Sequence, residues 1–204
     1  MRVLAISGSL RADSYNTALA RAAAALAPSG VEVELYDGLG LLPLYDQDLD
    51  QEGSEPPHAV RDLRERIEEA DALLVVTPEY NGSFPGVLKN AIDWASARHR
   101  GSSFAGKTVA IAGATTGQYG AIWAQQDLRR VLGIAGARVI LEEFPLSQAQ
   151  NAFDEQGRLL SALHEERLRS HVAALVAEAQ PAAEPAGLQN DEEPREAALR
   201  LVRR

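Results

Sequence analysis

The sequence predicts an α/β protein built on a doubly wound, five-stranded parallel sheet with helices on both faces. Two observations predict it. Short apolar runs of strand length alternate along the chain with longer segments of helical spacing, the pattern that crossover helices on a parallel sheet produce. The stretches after three of these runs are rich in Gly, Ser, Pro and Asn, residues that set turns and expose backbone amides. Open sheets of this kind place ligands outside the carboxyl ends of their strands.

The elements follow in order. Val3 to Ser7 reads as the first strand, and Thr17 to Leu26 as an alanine-rich helix stopped by Pro28 and Gly30. Val31 to Tyr36 alternates apolar and charged residues, which suits a strand with one wetter face. Residues 38–57 form a long irregular connection, and loops of that length are usually functional or mobile. His58 to Ala70 is an amphipathic helix. Ala72 to Val76 is uncharged, short and partly β-branched, as a buried strand should be, and LKNAIDWA, beyond the loop after it, has helical spacing. Thr108 to Ala112 is a further buried strand, Ala121 to Leu132 a helix, Arg138 to Leu141 the last strand and Leu159 to Ala179 the closing helix. Residues 1–179 are expected to form one domain. Residues 180–204 turn to Pro, Ala and charge and read as a tail, whose last stretch, Pro194 to Arg204, suits a short helix.

Composition sets bounds. The chain has 204 residues, 46% of them hydrophobic, enough for one sizeable core. A net charge of −9 without a basic stripe argues against a nucleic-acid partner. With no cysteine, disulfides, thiolate catalysis and zinc–thiolate sites are excluded. The start, MRVLAISGS, is too short an apolar run for a signal peptide, and no segment has the length to span a membrane. A cytoplasmic protein without a membrane partner is the expectation. The Asn81-Gly82-Ser83 sequon then never meets the glycosylation machinery.

The first loop, Gly8 to Asn16, carries Ser9, Ser14, Asn16 and Arg11, with Ser7 just before it. Ser14 or Asp13 is placed to cap the following helix. Helix-start amides, hydroxyls and a guanidinium together suit a phosphate. The G-x-G-x-x-G dinucleotide fingerprint is absent, which argues against a nicotinamide-type Rossmann site. GSSFAGKT, Gly101 to Thr108, matches a Walker loop in letters but precedes a strand, whereas a phosphate-cradling loop must follow a strand and open a helix. Lys107 is therefore read as a surface residue at a strand start, and a nucleotide hydrolase is set aside. The second loop, Pro78 to Ser83, joins a carboxylate and a phenol to turn residues. Glu79 is as well suited to bonding neighbouring loop amides as to chemistry. Asp93 and Trp94 read as packing, Trp123 and Leu128 as core or interface, and His58, His99, His164 and His171 as surface residues without metal-ligand spacing.

These motifs resemble the NADPH-dependent FMN reductase family of quinone, azo-dye and chromate reductases. The resemblance is carried by Gly8-Ser9-Leu10-Arg11, Ser14 and Asn16, then by Pro78-Glu79-Tyr80-Asn81-Gly82-Ser83, Pro85-Gly86 and Leu88 to Trp94, and it extends over residues 1–178. It implies a flavodoxin-like fold, FMN as cofactor and NAD(P)H as electron donor. It further implies that Ser9, Leu10, Arg11, Ser14, Tyr15 and Asn16 hold the phosphate end. Pro78, Glu79, Tyr80, Asn81 and Gly82 would lie along the ring, and Thr115, Thr116 and Gly117 of the third loop would complete the pocket. No catalytic side chain and no metal is expected, because the cofactor carries the hydride chemistry. The resemblance also implies small-molecule acceptors such as quinones, azo compounds or metal oxyanions. It implies a homodimer or homotetramer with the flavin near the subunit interface and the 38–57 segment at the pocket rim. The alternative is a flavodoxin-like electron-transfer module with no nicotinamide site of its own. Its compact phosphate loop rich in Thr and Ser differs from the Arg-containing loop here.

Overall fold

The structure is a computed structural model that describes residues 1–96 and 101–180. The expected tail beyond Gln180, its short helix and His99 lie outside the described residues.

Five strands form one parallel sheet: β1 (Arg2–Ser7), β2 (Glu32–Tyr36), β3 (Ala72–Thr77), β4 (Thr108–Ala114) and β5 (Arg138–Leu146). Their order is β2-β1-β3-β4-β5, that of the flavodoxin-like fold. The helices are α1 (Tyr15–Ala25), α2 (His58–Glu69), α3 (Gly86–Ala95), α4 (Ile122–Ile134) and α5 (Ala162–Ala179). β3 and β4 are buried at every position, which is why their sequences read as unbroken apolar runs.

The two-residue period of the strands divides the core. Val3, Ala5, Leu74, Val76, Ala110 and Ala112 face α1 and α5, where they meet Leu19, Ala23, Leu168, Val172 and Leu175. Leu4, Ile6, Leu73, Val75, Val109 and Ile111 face the other way, onto Leu63, Ile67, Leu88, Ile92, Leu128 and Leu132 of α2, α3 and α4. Each fully buried Leu or Ile here contributes roughly 1.5–3 kcal/mol.

Two expectations are corrected. β5 runs five residues past Leu141, and its register against β4 shifts between Val109 and Ile111. His171 is not a surface residue. It is 4% exposed, tilted against the Phe144 ring at 5.9 Å and hydrogen-bonded with the Ile111 backbone, and burial pushes its imidazole down to about 4. It lies on the inward stripe of α5 with Leu168, Val172 and Leu175, a helical spacing that its polarity concealed. Of the other histidines, His58 is exposed and His164 half-buried. Lys107 does sit just before β4, but its ammonium is engaged: it donates to the Glu68 and Ala70 carbonyls, each at 2.7 Å, and closes the end of α2.

The 38–57 segment contains two short 3₁₀ turns, Gly38–Leu41 and Gln47–Leu49, and is pinned to the body. The Pro43 carbonyl accepts from Asn90 Nδ2 and from Trp94 Nε1, each at 2.8 Å. Asn90 Oδ1 accepts from the Tyr45 amide at 2.7 Å. Buried Asp50 pairs with Arg64, whose guanidinium also donates to the Trp94 carbonyl. The NAIDW part of α3 therefore holds this segment in place.

Candidate functional site

The site lies where the chain turns out of β1, β3 and β4. In the β1–α1 loop, Ser14 caps α1, its Oγ accepting from the amides of Asn16 (3.2 Å) and Thr17 (3.3 Å). Asn16 is buried, and its amide exchanges two hydrogen bonds with the Ala114 backbone, at 3.0 and 2.9 Å. This ties the start of α1 to the end of β4 and sets the width between the first and third loops. Ser7 Oγ is engaged with Thr17 Oγ1 at 2.9 Å. Arg11 is exposed and makes no ion pair among the described residues, only long contacts at 3.4 Å with Asp13 and Ser9.

The second loop is a two-residue hairpin. Tyr80 and Ser83 exchange backbone hydrogen bonds at 2.9 and 3.1 Å. Asn81 (φ 53) and Gly82 (φ 76) both occupy the left-handed region, as a type I′ turn requires and as Asn-Gly best tolerates. The hairpin is stapled to α4 twice. Glu79 Oε2 accepts from the Ala124 amide at 3.1 Å, and Ser83 Oγ donates to Asp127 Oδ2 at 2.8 Å. Tyr80 is left 51% exposed.

The third loop leans on the chain beyond β5. Thr115 N–H donates to the Leu146 carbonyl, Ala149 N–H to that of Thr115 and Gln148 N–H to that of Gly117. Gln125 on α4 donates to the Gly120 carbonyl at 2.9 Å. Gly120 is required: its φ is +59°, and a Cβ there would lie 2.7 Å from the backbone of Pro145 and Leu146.

Ten of the fourteen expected binding residues line one cavity of about 180 Å³: Ser9, Arg11, Ser14, Tyr15, Asn16, Pro78, Glu79, Tyr80, Thr115 and Thr116, joined by Ala114. Leu10 instead lines an adjoining groove of about 630 Å³, which shares Arg11 and Tyr80 with the cavity. Asn81, Gly82 and Gly117 line neither. Asn81 and Gly82 act as the hinge of the hairpin that presents Tyr80. Trp123 is exposed and tilted against Tyr119 at 5.0 Å, while Leu128 is core. Trp94 packs as expected, and Asp93 is bound to Lys89. Sequence reasoning missed Ala114, Gln125 and Asp127. Ala114 carries no polar side chain, Gln125 acts on the backbone of its own preceding loop, and Asp127 acts across a loop 44 positions away.

Among the described residues no group of three or more His, Cys, Asp and Glu side chains is placed to hold a metal ion, and no helix is long and apolar enough to cross a membrane. The donor set fits a phosphorylated planar cofactor. An arginine without a carboxylate partner among the described residues stands among hydroxyls at the opening of a helix, and an exposed phenol ring lines the same cavity. The fold and the site define a flavodoxin-like oxidoreductase, with reactive chemistry borne by a bound cofactor. The chain belongs to the NADPH-dependent FMN reductase family, whose profile matches residues 1–151. It is thus an enzyme with FMN as cofactor and NAD(P)H as donor.

Among its relatives is an NAD(P)H-dependent FMN reductase of Pseudomonas aeruginosa, 48% identical over 176 residues, covering 86% of this chain and 93% of that one. A 2-hydroxy-1,4-benzoquinone reductase of a Burkholderia species is 41% identical over 162 residues, covering 79% of this chain and 86% of its own. Among solved structures, the flavoenzyme NAD(P)H:(acceptor) oxidoreductase FerB of Paracoccus denitrificans superposes with a TM-score of 0.78 at 36% identity, covering 87% of this chain and 96% of that one.

Proposed function

We propose that the chain reduces quinone-type acceptors with NAD(P)H, using FMN held in the cavity at the ends of β1, β3 and β4. The overall reaction is NAD(P)H + H⁺ + quinone → NAD(P)⁺ + hydroquinone. The donor gives up a hydride, and the acceptor gains two electrons and two protons. Bound FMN would supply that hydride and electron chemistry. The protein binds and orients.

Arg11, together with Ser9, Ser14, Tyr15 and Asn16, would hold the phosphate end. Pro78, Glu79 and Tyr80 would lie along the ring, on a hairpin whose shape Asn81 and Gly82 set. Thr115, Thr116 and Gly117 would close the third side. The observation that carries this reading is Arg11 beside the α1 start, without an ion pair among the described residues, in a cavity that also contains an exposed tyrosine. Glu79, occupied with the α4 amide, is not needed as an acid or base. Azo compounds, nitroaromatics and metal oxyanions belong to the same reading, since an acceptor need only reach the cofactor's open face. So do a cytoplasmic location and a homodimer or homotetramer, for which the exposed Tyr119–Trp123 pair offers a contact surface.

The test has two parts. The flavin released from purified protein should chromatograph as FMN, and NAD(P)H should be oxidised when a quinone is added. FAD, or no flavin uptake on titration, would refute the cofactor reading. Bound FMN that NAD(P)H fails to reduce would leave an electron-transfer module.

A further inference from the structure

The groove beside the cofactor cavity has no assigned role. Its walls are Leu10, Leu39, Leu42, Leu44, Pro85 and Val87. Leu10 and Leu44 are 58% and 84% exposed, so the apolar surface is open to a ligand. Gly86 adds to the room, for nothing lies within 4 Å of where its Cβ would be. The lining's polar side chains are few. Asn90 is engaged at both ends, with the Pro43 carbonyl and the Tyr45 amide. Arg11 and Tyr80 also belong to the cofactor cavity, and with Arg11 given to the cofactor's phosphate the Tyr80 phenol is left for a ligand in the groove. The groove is thus polar at the end that meets the cavity and apolar along the rest. Its volume of about 630 Å³ suits a small molecule.

We propose that this groove is a subsite for the apolar substituent of the electron acceptor, so that the enzyme favours quinones bearing an alkyl or isoprenoid-like chain. The inference rests on the function proposed above. A quinone carries polar carbonyls on its ring, and these face the Tyr80 phenol, beside the flavin ring, while the chain lies along the leucines. The wall formed by Leu42 and Leu44 is held in register by the two hydrogen bonds on Pro43 and by the Tyr45 ring, edge-on to Trp94 at 4.9 Å. The acceptor's chain therefore enters a preformed groove.

The test uses the FMN-loaded full-length protein, reduced with NAD(P)H and mixed in stopped flow with 2-n-alkyl-1,4-benzoquinones from methyl to hexyl. The rate constant for reoxidation should rise about two- to fourfold per added methylene until the groove is filled. Leu44→Asp in the 38–57 segment and Val87→Asn on α3 should each flatten that rise. Rates independent of chain length in the natural protein would overturn the subsite and leave the quinone reductase reading intact. Failure to reduce any quinone would overturn both. A rise that survives in both variants places the chain elsewhere and overturns the proposal. Slower reduction by NAD(P)H in both variants, with the chain-length rise intact, assigns the groove to the nicotinamide donor and overturns it as well.

Discussion

Glu79 Oε2 accepts a hydrogen bond at 3.1 Å from the backbone amide of Ala124, in the first turn of α4. That helix opens from Ala121, which is in the left-handed conformation and offers no capping side chain of its own. The missing cap comes from the hairpin after β3. A carboxylate there also complements the positive end of the helix.

This contact predicts that Glu79→Gln keeps substantial activity, because an amide oxygen can still accept from Ala124. Glu79→Ala should cost about 0.5–2 kcal/mol of stability, the usual loss for a removed cap. Thermal melts of the two variants check the cap, and stopped-flow flavin reduction across pH checks the chemistry. If Glu79→Gln slowed reduction by several orders of magnitude with FMN fully bound, the carboxylate would be reacting and not capping.

Arg11 stands in the cavity without an ion-pair partner among the described residues. Arg11→Ala should weaken FMN binding by about tenfold to a hundredfold, the range for a charge-assisted contact. Riboflavin, which lacks the phosphate, should bind both proteins alike. Titration by fluorescence quenching decides it, and equal losses for the two flavins would assign Arg11 to the shape of the loop.

His171 gives stability a pH dependence. Burial is the main cause of its pKa of about 4, and the nearby Arg129 and Arg167 lower it further, against the Ile111 hydrogen bond and the Glu142 charge. The unfolded chain binds this proton near pH 6.5, so the unfolded state takes up more protons as pH falls. The contribution is present in full above that value and is lost between pH 6.5 and about 4. Between pH 7 and pH 5 it should amount to about 2 kcal/mol. Urea unfolding at the two pH values should show this loss in the natural protein and a smaller one in His171→Leu.

Asn90→Ala removes one donor to the Pro43 carbonyl and leaves the Tyr45 amide without its acceptor. A cost of about 1–3 kcal/mol is expected. Local hydrogen exchange at Leu42 to Tyr45 should speed up, and FMN affinity should change little, since Asn90 does not line the cofactor cavity. Unchanged exchange would mean that Trp94 suffices to hold the segment.

Much of this architecture was legible in the sequence. The all-buried β3 and β4 announce themselves as apolar runs, and the Asn81-Gly82 turn by its residue types. What escaped has a common cause. His171 hides a core position behind a polar side chain. The far half of β5 opens on two charged residues, Glu142, exposed, and Glu143, half-buried beside Arg129, which break the apolar run. Asn90 and Trp94 read as ordinary helix residues because their partner, Pro43, lies 47 and 51 positions away. Local pattern carries periodicity and turn chemistry, but not the pairing of groups distant along the chain.

The clamp on Pro43 also bears on how such a protein diversifies. The outer wall of the groove belongs to a connection that contributes no strand to the sheet and no residue to the cofactor cavity. Its hydrogen bonds to α3 run through main-chain atoms, Pro43's carbonyl and Tyr45's amide, which replacement side chains other than proline at position 45 would leave in place. With the groove as the acceptor subsite proposed above, breadth of acceptor choice is a separately heritable trait. Mutation can rework residues 40–45, outside the buried Leu39, while the cofactor cavity stays as it is, and a library confined to that stretch would explore new oxidants without first having to rebuild an enzyme.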